Sequence, residues 1–145
     1  MNIKAVILAG VVASLAAPAL AHHSFAMFDR EKAVEIAGIV KEYEWTNPHV
    51  WIHIMAPDQS GKAVEWSFEM QAIAQDYAAG WRADTVKPGD KVSIVYHPLK
   101  DGSRGGQLMN ATLPDGKRLG PPVAPGLVFP EARAASEAAR RAGSQ

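Results

Sequence analysis

From residue 34 to residue 113, apolar and polar side chains alternate with a period of two, interrupted by clusters of Pro, Gly, Asn and Asp. Successive side chains of a strand point to opposite faces, so this pattern predicts several short strands. Residues 34–45, VEIAGIVKEYEW, form the first, with Gly38 marking a bulge or bend where a side chain would collide. Asn47-Pro48 ends it, because proline lacks a donor and fixes φ. Residues 49–55, HVWIHIM, send Val50, Ile52 and Ile54 one way and His49, Trp51 and His53 the other. After a turn at Pro57–Gly61, residues 63–70, AVEWSFEM, place Val64, Trp66, Phe68 and Met70 inward against Glu65, Ser67 and Glu69. These two strands are expected to pair as a hairpin. Centred near Gln59, it sets His53 opposite Glu65, Trp51 opposite Ser67 and His49 opposite Glu69, with Cβ atoms roughly 5 Å apart.

A short helix is expected over Gln71–Ala79, stopped by Gly80. The turn Lys87-Pro88-Gly89-Asp90 leads into a fourth strand at 91–97, KVSIVYH, and a fifth spans 106–113, ended by Pro114-Asp115-Gly116. The class is therefore all-β with one short helix. The order of three strands, a helix and two strands, with a bent first strand, resembles the five-stranded OB-like barrel. Closure also removes the exposed edges that such short strands would otherwise present. The same strand list fits a small open β-sandwich. The domain is expected at 34–119, after an N-terminal arm at 22–33 and before a flexible Pro/Ala-rich tail at 120–145.

Residues 1–21 have the features of a signal peptide: Lys4, an apolar run from Ala5 to Ala17, Pro18, and the small-x-small site Ala19-Leu20-Ala21. Export to a periplasm with cleavage after Ala21 is the expectation, with no membrane span afterwards, since no later stretch approaches about 20 apolar residues. The chain has no cysteine, which excludes disulfides and thiolate metal sites. Its 15 basic and 15 acidic side chains argue against a nucleic-acid partner, which calls for a concentrated basic surface.

Cleavage after Ala21 makes His22 the first residue, followed by His23. A terminal amine with an adjacent imidazole chelates Cu(II), so a copper-binding protein, with His22, His23 and His97 as ligands, is one reading. The resemblance to N-terminal-histidine copper proteins rests on His22 alone. The other reading uses the outward face of the second and third strands, where His49, Trp51, His53, Glu65 and Glu69 gather as a ligand or partner surface. Each of these residues also has a plainer explanation: a turn hydrogen bond at His49, or cross-strand charge pairs on a solvated face. Ser67 has no nucleophile-elbow sequence around it, and Glu65 and Glu69 stand too far apart on one strand for glycoside hydrolysis. A non-enzymatic binding or accessory module, engaging an envelope protein or a small ligand, is the expected function.

The segments HHSFAMFD, GIVKEYEWTNPHVWIHI, VEWSFEM, GWRADTVKPGDKVSIVYHPLKDGSRGG and LPDGKRL together resemble an uncharacterised family of small exported proteobacterial proteins. That resemblance covers roughly residues 22–119 and implies an exported small β-domain, with no catalytic residues to carry over. The strand order is more distantly similar to periplasmic OB-fold proteins, and fold likeness alone does not assign a function.

Overall fold

The computed structural model describes residues 25–121. The expected signal peptide, His22, His23 and the tail beyond residue 121 lie outside them. Six strands and one helix follow a 3-10 turn at Phe25–Met27: β1 (Val34–Glu44), β2 (Trp51–Pro57), β3 (Ala63–Glu69), α1 (Ile73–Ala78), β4 (Lys91–Pro98), β5 (Gly105–Thr112) and β6 (Arg118–Leu119). Antiparallel ladders join β1 to β2, β2 to β3, β1 to β4 and β4 to β5. A short parallel ladder, Ser67 to Gly105 through Glu69 to Gln107, joins β3 to β5. These five pairings close the sheet into a mixed five-stranded barrel of the OB-like type, and the open sandwich is set aside. Strand β6 lies outside the closure, antiparallel to β5. It comes from the Leu113–Lys117 turn, where Leu113 N–H donates to Lys117 O at 2.8 Å.

The period-two pattern fills the barrel as expected. Val40, Ile52, Ile54, Phe68 and Ile94 are buried in one cluster, and Phe68 packs on Tyr96 with ring centroids 4.7 Å apart. Trp66 is half-buried, edge-on to Tyr96. Strand β1 serves two neighbours, and Ile39 pairs with both Lys91 and Met55. Gly38 sits at that hand-over, where an added Cβ would lie 2.6 Å from Met55 O. The collision expected at Gly38 is thus present, while the bulge itself falls three residues later, at Lys41 between Val40 and Glu42.

The helix is shorter than its pattern suggested. Val50 N–H donates to Gln71 O and Met70 N–H to Val50 O, so residues 70–71 still belong to the β2–β3 ladder, and α1 starts only at Ile73. Its other end stops at the expected glycine. Gly80, at φ +97°, donates to Tyr77 O, and Trp81 N–H donates to Asp76 O at 2.9 Å. That pair of bonds is the Schellman closure, which needs a left-handed residue where glycine carries no Cβ penalty. Trp81 then plunges into the core, 1% exposed.

The segment ahead of β1 lies along β4. Phe28 bridges to Leu99, Asp29 N–H donates to Pro98 O, and Lys100 N–H donates to Met27 O. On β5, Asn110 Nδ2 donates to Pro121 O at 2.9 Å. The outward faces of β4 and β5 are therefore covered by chain on both flanks.

Candidate functional site

The outward side chains of β1, β2 and β3 form rows set by the register. Glu44, Trp51 and Glu69 share one row, and Glu42, His53 and Ser67 share the next. The β2–β3 pairing is shifted by two residues from the hairpin centred near Gln59: His53 opposes Ser67, Trp51 opposes Glu69, and Met55 opposes Glu65. The cause is the turn. Asp58 Oδ1 accepts from Ser60 N, Ser60 Oγ and Lys62 N, and Gly61 at φ +83° closes a loop over 58–62, so β2 runs on through Pro57. A two-residue shift leaves every side chain on its face. Ile52 is buried while His49, Trp51 and His53 are half-buried on the outside, as the alternation predicted.

His53 is the hub of this face. Its Nε2 lies 3.2 Å from Glu44 Oε1 and its Nδ1 2.8 Å from Ser67 Oγ. If Nε2–H donates to the Glu44 carboxylate, Nδ1 accepts the Ser67 hydroxyl. Glu65 Oε1 stands 3.6 Å from the same Nδ1, so a protonated ring has carboxylates on both sides. Lys41, the extra residue of the β1 bulge, binds Glu65 and holds that carboxyl below its ordinary range. Trp51 stacks on His53, with the rings 13° from parallel and centroids 6.2 Å apart. The indole, the imidazole and the two flanking acids therefore form one organised surface.

His49 belongs to a separate network. Its Nδ1 is 3.2 Å from both Glu69 Oε1 and Met70 O, and that nitrogen serves as a donor shared between the two. The expected pairs His49–Glu69 and His53–Glu65 do meet, but diagonally across the ladder rather than face to face. His97 joins neither group. It is 9% exposed under the 28–33 segment, and its Nδ1 donates to Lys32 O at 2.6 Å. Among the described residues, no three His, Asp or Glu side chains converge with metal-holding geometry.

Sequence reading paired β2 with β3 and so missed Glu44 and Lys41, which arrive from β1. Positions 41 and 44 are of opposite parity, so only the bulge between Val40 and Glu42, which depends on tertiary pairing, brings both side chains to the outer face. The Ser67–His53–Glu44 chain has the bonding order of a catalytic relay. Acyl transfer also needs donors for an oxyanion, and Ser67's own N–H is already donated to Arg104 O.

Beyond Met55 the outer surface dips into a groove of about 470 Å³ lined by Ala37, Ile39, Met55, Leu113 and Pro114, with Lys91 at its side. That volume lies within the range of small-ligand clefts. No helix among the described residues is long and apolar enough to cross a membrane.

No curated protein and no solved structure matches the chain. Residues 9–109 match a family of unknown function, DUF6152. That match spans well over half of the 145 residues, and the chain belongs to this family.

Proposed function

We propose that the protein is an exported, periplasmic, non-enzymatic binding module that works through the outer face of β1–β3. The observation that carries this reading is His53, held at both ring nitrogens by Glu44 and Ser67 beneath a stacked, half-buried Trp51. Side chains already fixed lose little entropy when a partner docks, and an anchored indole amid polar groups has the character of an interface hot spot. The adjoining groove extends the same surface with an apolar concavity. The export pattern at residues 1–21 supports the periplasmic setting.

A photo-reactive residue placed at Trp51, compared with one at exposed Lys117 far along the chain, tests the face in intact cells. Crosslinked species specific to position 51 are expected, and they should fall at least tenfold in a His53→Ala background. Equal crosslinking from both positions would discard the face. Mass spectrometry of the recovered protein reads the export step at the same time, since a terminus at Met1 excludes cleavage.

A further inference from the structure

Between β3 and β4 runs α1, a helix of six residues whose Ile73 packs against the core. Its N-cap, Ala72, has no side chain able to cap, and the Ile73 N–H donates instead to Asn47 Oδ1 at 3.4 Å; beyond that bond its docking rests on the Schellman closure and on the face turned inward. That inward face carries an acid. Asp76 is 5% exposed, and its Oδ2 has no hydrogen-bond partner. Tyr43 faces it from β1, and the Tyr43 hydroxyl is likewise buried without a partner. Around them stand the rings of Trp45 and Trp81, 5.9 Å and 6.3 Å from the Tyr43 ring. The other groups acting on Asp76 are His49, from the segment ahead of β2, and the backbone N–H of Gln71, at the end of the β3 ladder.

An ionised carboxylate in such a wall is costly, because one oxygen has lost water and gained nothing in return. A neutral carboxyl fits better, because it escapes most of that desolvation cost. We infer that α1 is a proton-controlled cap: Asp76 seats it on the barrel when protonated and loosens it when ionised. This inference stands apart from the Trp51 face and survives or fails without it.

Burial pushes the Asp76 carboxyl up to about 6, against the smaller opposing pulls of the Gln71 N–H and His49. The same charge, with burial first, raises the Tyr43 phenol well above its ordinary value. The sign follows by linkage. Above pH 6 the docked cap bears the full cost of the ionised carboxylate. As pH falls from 6 towards the ordinary value of 3.8, the docked state takes up a proton that the undocked state binds more weakly, so docking tightens.

Amide hydrogen exchange of the full chain reads this directly. The Trp81 and Ala79 amides, donated to Asp76 O and Gln75 O, report the seat of α1. Corrected for intrinsic rates, their protection should be about tenfold greater at pH 5 than at pH 8. Amides of β4 around Ile94 should not share that change. In Asp76→Asn the protection should stay at the wild-type pH 5 level at both pH values, and in His49→Gln the wild-type slope should persist. A flat wild-type profile, or a slope retained in Asp76→Asn, would overturn the cap. Should that variant not fold, the carbon shift of the Asp76 carboxyl in the wild type decides: a midpoint near 6 is expected, and one near 4 refutes the inference.

Discussion

His53 and His97 both sit on the outward side of their strands, yet they end in opposite environments. On β2, the ring of His53 meets solvent beside Trp51 and is bonded by side chains alone, Ser67 and Glu44. On β4, the ring of His97 is sealed beneath the 28–33 segment and bonded to a backbone carbonyl. Outward therefore means only away from the barrel axis. Whether an outward residue can meet a partner depends on which other stretch of chain lies over it. The β4–β5 side has its cover, and the β1–β3 side carries polar and aromatic groups that need none.

The largest effect is expected where the sealed side is tightest. A Cβ on Gly106 would meet His97 O at 2.0 Å and the Tyr96 ring at 2.7 Å, at the end of the β4–β5 ladder where Gly106 also pairs with Phe68 of β3. Gly106→Ala should cost more than about 3 kcal/mol in urea unfolding, since the opposing group is backbone and cannot give way. A loss under about 1 kcal/mol would mean that the ladder adapts. Next comes the cover itself: Phe28 is 5% exposed, and Phe28→Ala should cost about 2–3 kcal/mol. The same variant should convert His97 from a ring protected against diethylpyrocarbonate into a reactive one. If His97 stays protected, something other than the 28–33 segment seals it.

On the open face the costs should be smaller. His53→Gln should change stability by less than about 1 kcal/mol, because water replaces both lost bonds. A loss as large as that of Phe28→Ala would make the face part of the core and break the contrast. At the bottom of the scale, Lys41→Met removes an exposed pair with Glu65, and no change in the unfolding midpoint is expected at moderate salt.

Much of the architecture was legible in the sequence. Val50, Ile52 and Ile54 in one parity and His49, Trp51 and His53 in the other settled what faces the core on β2. Gly80 announced the end of α1, and Asn47-Pro48 the end of β1. The hairpin register was not legible, because the loop is set by Asp58 accepting three bonds, a local choice that composition does not rank. The partners of His53 were half legible: Glu65 and Ser67 lie on the next strand in sequence, whereas Glu44 and Lys41 depend on the β1–β2 ladder and its bulge.

By itself the sequence determined the alternation, the turns, the absence of thiol chemistry and the face on which each β2 and β3 residue stands. These are local properties, fixed by covalent geometry and by the transfer of apolar groups out of water. Tertiary structure alone decided which outward residues are covered, that Glu44 joins Glu65 at His53, and that Asp76 is enclosed with a partnerless oxygen. Those outcomes depend on segments distant in sequence meeting in space, and each such encounter is selected by the packing of the whole barrel.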